Sequence, residues 1–157
     1  MGTVRVEVEI EDRKALEVIE VEGGSLEAVL REVRGLAALE DLHVFERDCD
    51  EPIGAEIEKR KVLCLHGHRC RKVLVKVRWN HLTKERDFSP AAHIHRVLLW
   101  AISKKGFGLD DTAKAKANLI LPGTDEPLPK DAVVGRFVKH GDCVLTLELT
   151  LKDFTNG

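Results

Sequence analysis

A chain of 157 residues, 43% apolar and 33% charged, has the make-up of one average globular domain or two small ones, which excludes disorder or a fibrous repeat as its main state. Its 25 basic and 27 acidic side chains leave a formal charge of −2, which argues against a nucleic-acid binder that works by bulk phosphate neutralisation. The longest strongly apolar stretch, residues 97–102, falls far short of the roughly 18 residues of a membrane span, and the start Met1-Gly2-Thr3-Val4-Arg5-Val6 lacks an apolar signal core, so a cytoplasmic protein is the expectation.

The charge is unevenly placed, with residues 1–69 summing to −7 and residues 70–157 to +5. Such a split suits two modules with different partners, or head-to-tail attraction and hence self-association. The four cysteines, Cys49, Cys64, Cys70 and Cys143, form no Cys-x-x-Cys pair and are too few for a disulfide framework, so they read as reduced thiols.

Along the chain, Val4, Val6, Val8 and Ile10 alternate with Arg5, Glu7, Glu9 and Glu11, the period of a half-buried strand. A polar turn at residues 12–14 leads to a second strand over residues 16–21, where adjacent Val18 and Ile19 suggest a bulge. Ser25 then caps a helix whose apolar stripe is Leu26, Val29, Leu30 and Val33. Strands come next over residues 42–46 and 61–65.

The same order begins again. Val73, Val75, Val77 and Trp79 form a strand, residues 80–85 a polar turn, and a short strand leads to Phe88. Ser89-Pro90 reads as a helix start, Ile94, Val97, Leu98 and Ala101 as its core stripe and Gly106 as its end. Strands over residues 117–121 and 143–151 close the plan. Two copies of one ββα-β-β arrangement, about 70 residues apart, indicate duplicated architecture, and with no flexible linker around residues 66–70 the two units are expected to be held close.

The second copy resembles ubiquitin. Asn118-Leu119-Ile120-Leu121-Pro122-Gly123-Thr124 is similar to ubiquitin's strand and turn Leu-Ile-Phe-Ala-Gly, Asp131-Ala132-Val133-Val134-Gly135 stands at its short segment before the last strand, and Gly141-Asp142-Cys143-Val144-Leu145-Thr146-Leu147-Glu148-Leu149 is similar to that strand itself. The first copy resembles it more loosely, over residues 3–66, with the short segment missing. The resemblance implies an α+β chain of two tandem β-grasp domains, residues 1–69 and residues 70–157 with a conjugation tail. Two such domains in one chain are similar to the tandem interferon-induced modifier of animals, and more closely to the bacterial Bil antiphage proteins, on His66-Gly67-His68-Arg69-Cys70-Arg71-Lys72-Val73, Phe88-Ser89-Pro90 and Trp100-Ala101.

That resemblance implies a protein tag activated by an E1-like enzyme, passed to an E2-like enzyme, joined to amines of target proteins, phage structural proteins among them, and removed by a JAB-type metalloprotease. The tag is a substrate and not an enzyme, and needs no cofactor or metal. The tail is Phe154, Thr155, Asn156 and Gly157, with Gly157 carrying the reaction because a residue without Cβ lets enzyme and backbone approach closely. It ends in Asn-Gly where ubiquitin has Gly-Gly, and Phe154 stands where ubiquitin's tail is basic, which implies a dedicated activating enzyme. With Leu145, Leu147, Leu149 and Leu151 facing inward, Thr146 and Glu148 face outward, and these two with Ile120 are the candidate partner-binding residues. The competing reading is a non-conjugated ubiquitin-like scaffold that binds through its sheet faces, and a sulfur carrier is a third.

Cys64, His66, His68 and Cys70 are metal-ligand types at alternate positions. An extended strand nevertheless sets Cys64 and Cys70 roughly 20 Å apart, so contacts between the two units are the favoured role and no metal site is expected. His93 and His95, two apart on a helix, read as solvent-facing. No Ser-His-Asp spacing, P-loop or His-Glu-x-x-His motif is present.

Overall fold

The structure is a computed structural model that describes residues 2–11, 13, 15–139 and 142–152. The first half runs β1 (Thr3–Ile10), β2 (Glu17–Glu22), α1 (Leu26–Ala37), β3 (His43–Glu46), a 3-10 turn (Ala55–Lys59) and β4 (Val62–His68). The second runs β5 (Val73–Trp79), β6 (Leu82–Phe88), α2 (Ile94–Ile102), α3 (Asp111–Lys116), β7 (Asn118–Ile120), a 3-10 turn (Val134–Phe137) and β8 (Val144–Thr150). Each half forms a four-stranded mixed sheet, in the orders β2-β1-β4-β3 and β6-β5-β8-β7. With one long helix on each sheet, these are two tandem β-grasp domains.

The periodicity explains the layering. Val4, Val6, Val8 and Ile10 of β1 are buried, and parallel pairing sets Val6 opposite Leu63 and Val8 opposite Leu65. Val29 and Val33 of α1 close that core, and Ser25 caps the helix by accepting from the Ala28 N–H at 3.2 Å. In the second sheet Val75 lies opposite Leu145 and Val77 opposite Leu147, beneath Val97, Leu98 and Ala101 of α2. Among the described residues no helix is long and apolar enough to cross a membrane.

Several sequence expectations are corrected. β2 pairs with β1 without a bulge, since Val18 opposite Glu7 simply faces out at 49% exposure while Ile19 opposite Val6 faces in. The polar stretch after Trp79 is a two-residue turn, Asn80-His81, and then a full strand whose residues from Leu82 to Asp87 are all exposed. That edge strand packs neither face, so it has no alternation to read; Asn80, at φ 53°, takes the left-handed conformation that asparagine tolerates. Ser89 does not cap a helix. Its hydroxyl accepts from the Ala91 N–H at 3.0 Å and donates to the Cys49 carbonyl at 2.6 Å, and α2 begins four residues beyond Pro90. The helix also ends at Ile102, with Gly106 in the turn after it, where a Cβ would collide with the Trp100 carbonyl oxygen. The short segment expected to be missing from the first half is present as the 3-10 turn Ala55–Lys59, pinned by fully buried Ile57, and the short helix α3 has no counterpart among the sequence expectations.

Leu147 is wholly buried on the strand between β5 and β7. Leu147→Ala is expected to cost about 2–5 kcal/mol in chemical denaturation, while Thr146→Ala on the opposite face should stay within about 0.5 kcal/mol.

Candidate functional site

The root of the tail is set by β8, which lies between β5 and β7 and is therefore held along both edges. Beyond it the Lys152 N–H donates to Thr150 Oγ1 at 3.1 Å, and Lys152 Nζ meets Asp125 Oδ2 at 2.5 Å, an exposed pair of small energetic value. Phe154, Thr155, Asn156 and Gly157 lie outside the described residues. Thr146 and Glu148 stand on the outer face of the sheet, opposite Lys76 and Arg78, and Arg78 Nη2 bonds Glu148 Oε1 at 3.0 Å. Ile120, opposite Glu148, is only 8% exposed. Beside this face an open groove of about 530 Å³ is lined by Leu121, Pro122, Phe137, Lys139 and Val144, so apolar surface is available next to the polar strip.

A second constellation lies where the two sheets meet. Phe45, His66 and His68 point to the outer face of the first sheet yet are at most 1% exposed, because residues 89–93 and the turn Val134–Phe137 of the second half cover them. The fit is close: a Cβ on Gly135 would stand 2.5 Å from His66 Nε2, 2.8 Å from His68 Cδ2 and 3.0 Å from the Pro90 carbonyl oxygen. The two rings stack with centroids 5.6 Å apart. Each is matched to a carboxylate, His66 Nδ1 at 3.3 Å from Glu9 Oε1 and His68 Nε2 at 3.6 Å from Glu11 Oε2, while His68 Nδ1 accepts the Cys70 N–H at 2.9 Å.

Charged groups then bridge the halves. Arg136 Nη2 reaches Glu9 Oε2 at 2.5 Å, and Arg47 donates to the Asp131 carbonyl at 3.0 Å. The loop after β3 docks on the start of α2: the Asp48 N–H donates to the Ala91 carbonyl at 2.7 Å, the His93 N–H donates to Asp48 Oδ1 at 3.0 Å, and Arg96 bonds Asp48 and Asp50. The adjacent His66 imidazole, helped by Arg136 and opposed by burial, holds the Glu9 carboxyl down to about 2. Burial alone would raise Asp48, but the His93 N–H and the Arg96 charge outweigh it and keep that carboxyl below its ordinary value.

The structure therefore brings His66 and His68 into the contact between the two units. Gly67 stays in the strand without turning, Cys64 is exposed, and among the described residues no group of three ligand side chains could hold an ion. β4 runs three residues past its expected end because β1 and β3 pair it as far as Gly67 and His68. Two further expectations are corrected. Cys70 and Cys143 form a disulfide, because Cys70 lies three residues before the start of β5 and Cys143 immediately before β8, and the parallel starts of these strands abut, which leaves the two Cα atoms 5.7 Å apart. His93 is half-buried with Nδ1 3.8 Å from Asp48 Oδ2, so of the pair only His95 faces solvent. The contact does leave one signal in the sequence: consecutive apolar Val44 and Phe45 mark a strand buried on both faces.

Residues 74–152 match a family model described as BilA ubiquitin-like domain 2. No curated protein matches the chain.

Gly135→Ala should lower stability by about 1–3 kcal/mol and speed proteolysis of the linker at residues 69–72. The Glu9 pair carries a pH signature as well. Because its carboxyl titrates near 2 in the fold against an ordinary 4.5, its stabilisation is present above pH 4.5 and is lost as pH falls from 4.5 towards 2. Denaturation midpoints measured across that window should fall less steeply in Glu9→Gln than in the wild type.

Proposed function

We propose, for a chain that belongs to the BilA ubiquitin-like family, that it is a tandem ubiquitin-like modifier attached to target proteins through the carboxylate of Gly157. The observation that carries this reading is the extent of the family match, which runs from Leu74 through the last strand to Lys152 and leaves the sequence Asp153-Phe154-Thr155-Asn156-Gly157 beyond it. A strand held on both edges gives the tail a fixed point of attachment on a rigid sheet, as an enzyme channel requires.

The chemistry is that of the tail. An E1-like enzyme activates the Gly157 carboxylate with ATP as an acyl-adenylate, releasing pyrophosphate, and its cysteine displaces AMP to take the chain as a thioester; an E2-like enzyme receives it on its own cysteine, and a target amine displaces that thiolate to leave an amide. Glycine suits each step because the absence of Cβ lets the backbone enter a narrow site. No side chain of this protein does chemistry in the sequence of steps. A JAB-type metalloprotease reverses the bond, and the setting is antiphage defence in the cytoplasm, with phage structural proteins among the targets. The outer face around Lys76, Arg78, Thr146 and Glu148 is the surface that partner enzymes read, with the groove at Phe137 and Val144 beside it. The residues bounded as 1–69 form a second recognition surface, carried rigidly by the contact at His66 and His68.

An immunoblot of cells of the source organism, with a tag at Met1, tests the tail. Bands heavier than the free chain that survive boiling and reductant are expected from the intact chain and should vanish when Gly157 is removed. Free protein alone in both lanes under inducing conditions would favour a scaffold that binds without conjugation.

A further inference from the structure

The Cys70–Cys143 disulfide is asymmetric in a way that gives it a chemical direction. Cys143 is solvent-exposed, whereas Cys70 is 4% exposed and belongs to the core of the second domain. An incoming thiolate therefore approaches from the side of the exposed residue, Cys143, and the leaving sulfur is that of Cys70.

Cys70 is also the fixed end of the linker between the domains. Its N–H is bonded to the buried His68 ring, the preceding Arg69 N–H donates to Glu11 Oε1 at 2.6 Å, and the next residue, Arg71, lies 5.7 Å over the Phe45 ring and reaches Glu51 Oε2 at 2.5 Å. Three successive residues thus grip the first domain, and the disulfide ties them to the base of β8 in the second. The closure of Gly135 onto both histidines leaves no slack for a shift of this segment.

We infer that Cys143 is a thiol-exchange site, open to a small thiol of the glutathione class, and that exchange there loosens the seating of one domain on the other. In the first step the thiolate forms a bond to Cys143 Sγ and the Cys70–Cys143 bond breaks. Cys70 leaves as a thiolate and takes a proton from water, its apolar surroundings disfavouring the charge. A second thiolate attacks the mixed disulfide, releasing the oxidised small thiol and leaving Cys143 reduced, so two electrons pass from the small thiols to the protein pair. The oxidised small thiol drives the reverse. Exposed disulfides are the labile ones by this chemistry. Cys49 and Cys64, exposed free thiols, react instead with the oxidised small thiol, each forming a mixed disulfide and releasing the other half as a thiolate, so their peptides serve as internal references for labelling.

The test equilibrates the full chain in mixtures of reduced and oxidised glutathione, traps free thiols with iodoacetamide, and reads peptide masses alongside amide hydrogen exchange. The expected result is glutathione on the Cys143 peptide and none on Cys70. In the reduced chain the amides of Asp48, Arg69, Cys70 and His93 should exchange about tenfold faster while those of Val75, Val77 and Leu147 stay slow. Glutathione found on Cys70, an unchanged joint, or a rise of equal size through β5 and β8, which a plain cross-link would give, each overturns the inference. Cys143→Ser is the second measurement. It should exchange at those four amides like the reduced wild type and cease to respond to glutathione there, and joint amides as slow as in the oxidised protein would count against the proposal.

Discussion

In each half of this protein the first strand lies parallel against the last, β1 on β4 and β5 on β8, and most other features are placed by those two pairings. A parallel neighbour cannot be reached by a tight turn, so the chain must cross over, and the crossover supplies the helix that covers the inner face. The first and last strands then occupy the middle of the sheet, with the shorter or more polar strands at its edges. The same pairing puts the residues before β5 and β8 side by side, which is why Cys70 and Cys143 meet across a sequence separation of 73. It also fixes where the chain leaves: β4 at the joint, β8 at the tail.

The joint is made in an unusual material. Two imidazoles and two glutamates are buried or nearly so between the sheets, with the exposed Arg136 closing over Glu9, where an apolar contact of similar size would be simpler. Such groups cost desolvation and return it only when matched in geometry, so their effect is to select one relative placement of the domains. Gly135 is the point at which this selectivity is sharpest, since its missing side chain is the space that His66 and His68 occupy. Two domains joined in this way present one composite surface.

The outer faces of the two sheets have consequently diverged. In the first domain the β3–β4 side is consumed by the joint, and Val18 and Val62 remain exposed on the rest. In the second, β5 and β8 carry Lys76, Arg78, Thr146 and Glu148, a mixed-charge strip that stays open. The outer face of a duplicated fold is thus covered in one copy and open in the other.

How much is legible in the sequence depends on the range of the physics involved. The alternation in β1, β5 and β8, the stripe of α1 and its Ser25 cap are local patterns, legible in the sequence alone together with the duplication and the β-grasp plan. The β6 strand is hidden because an edge exposed on both faces needs no apolar period, and the start of α2 because Ser89 gives its hydroxyl to a carbonyl of the other domain. The Cys70–Cys143 bond, the partners of His66, His68 and His93, and the burial of Ile120 and Phe45 belong to the tertiary structure alone. Each depends on which sheet face a second domain covers or which strand ends abut, and those are distances between residues tens of positions apart, on which local periodicity carries no information.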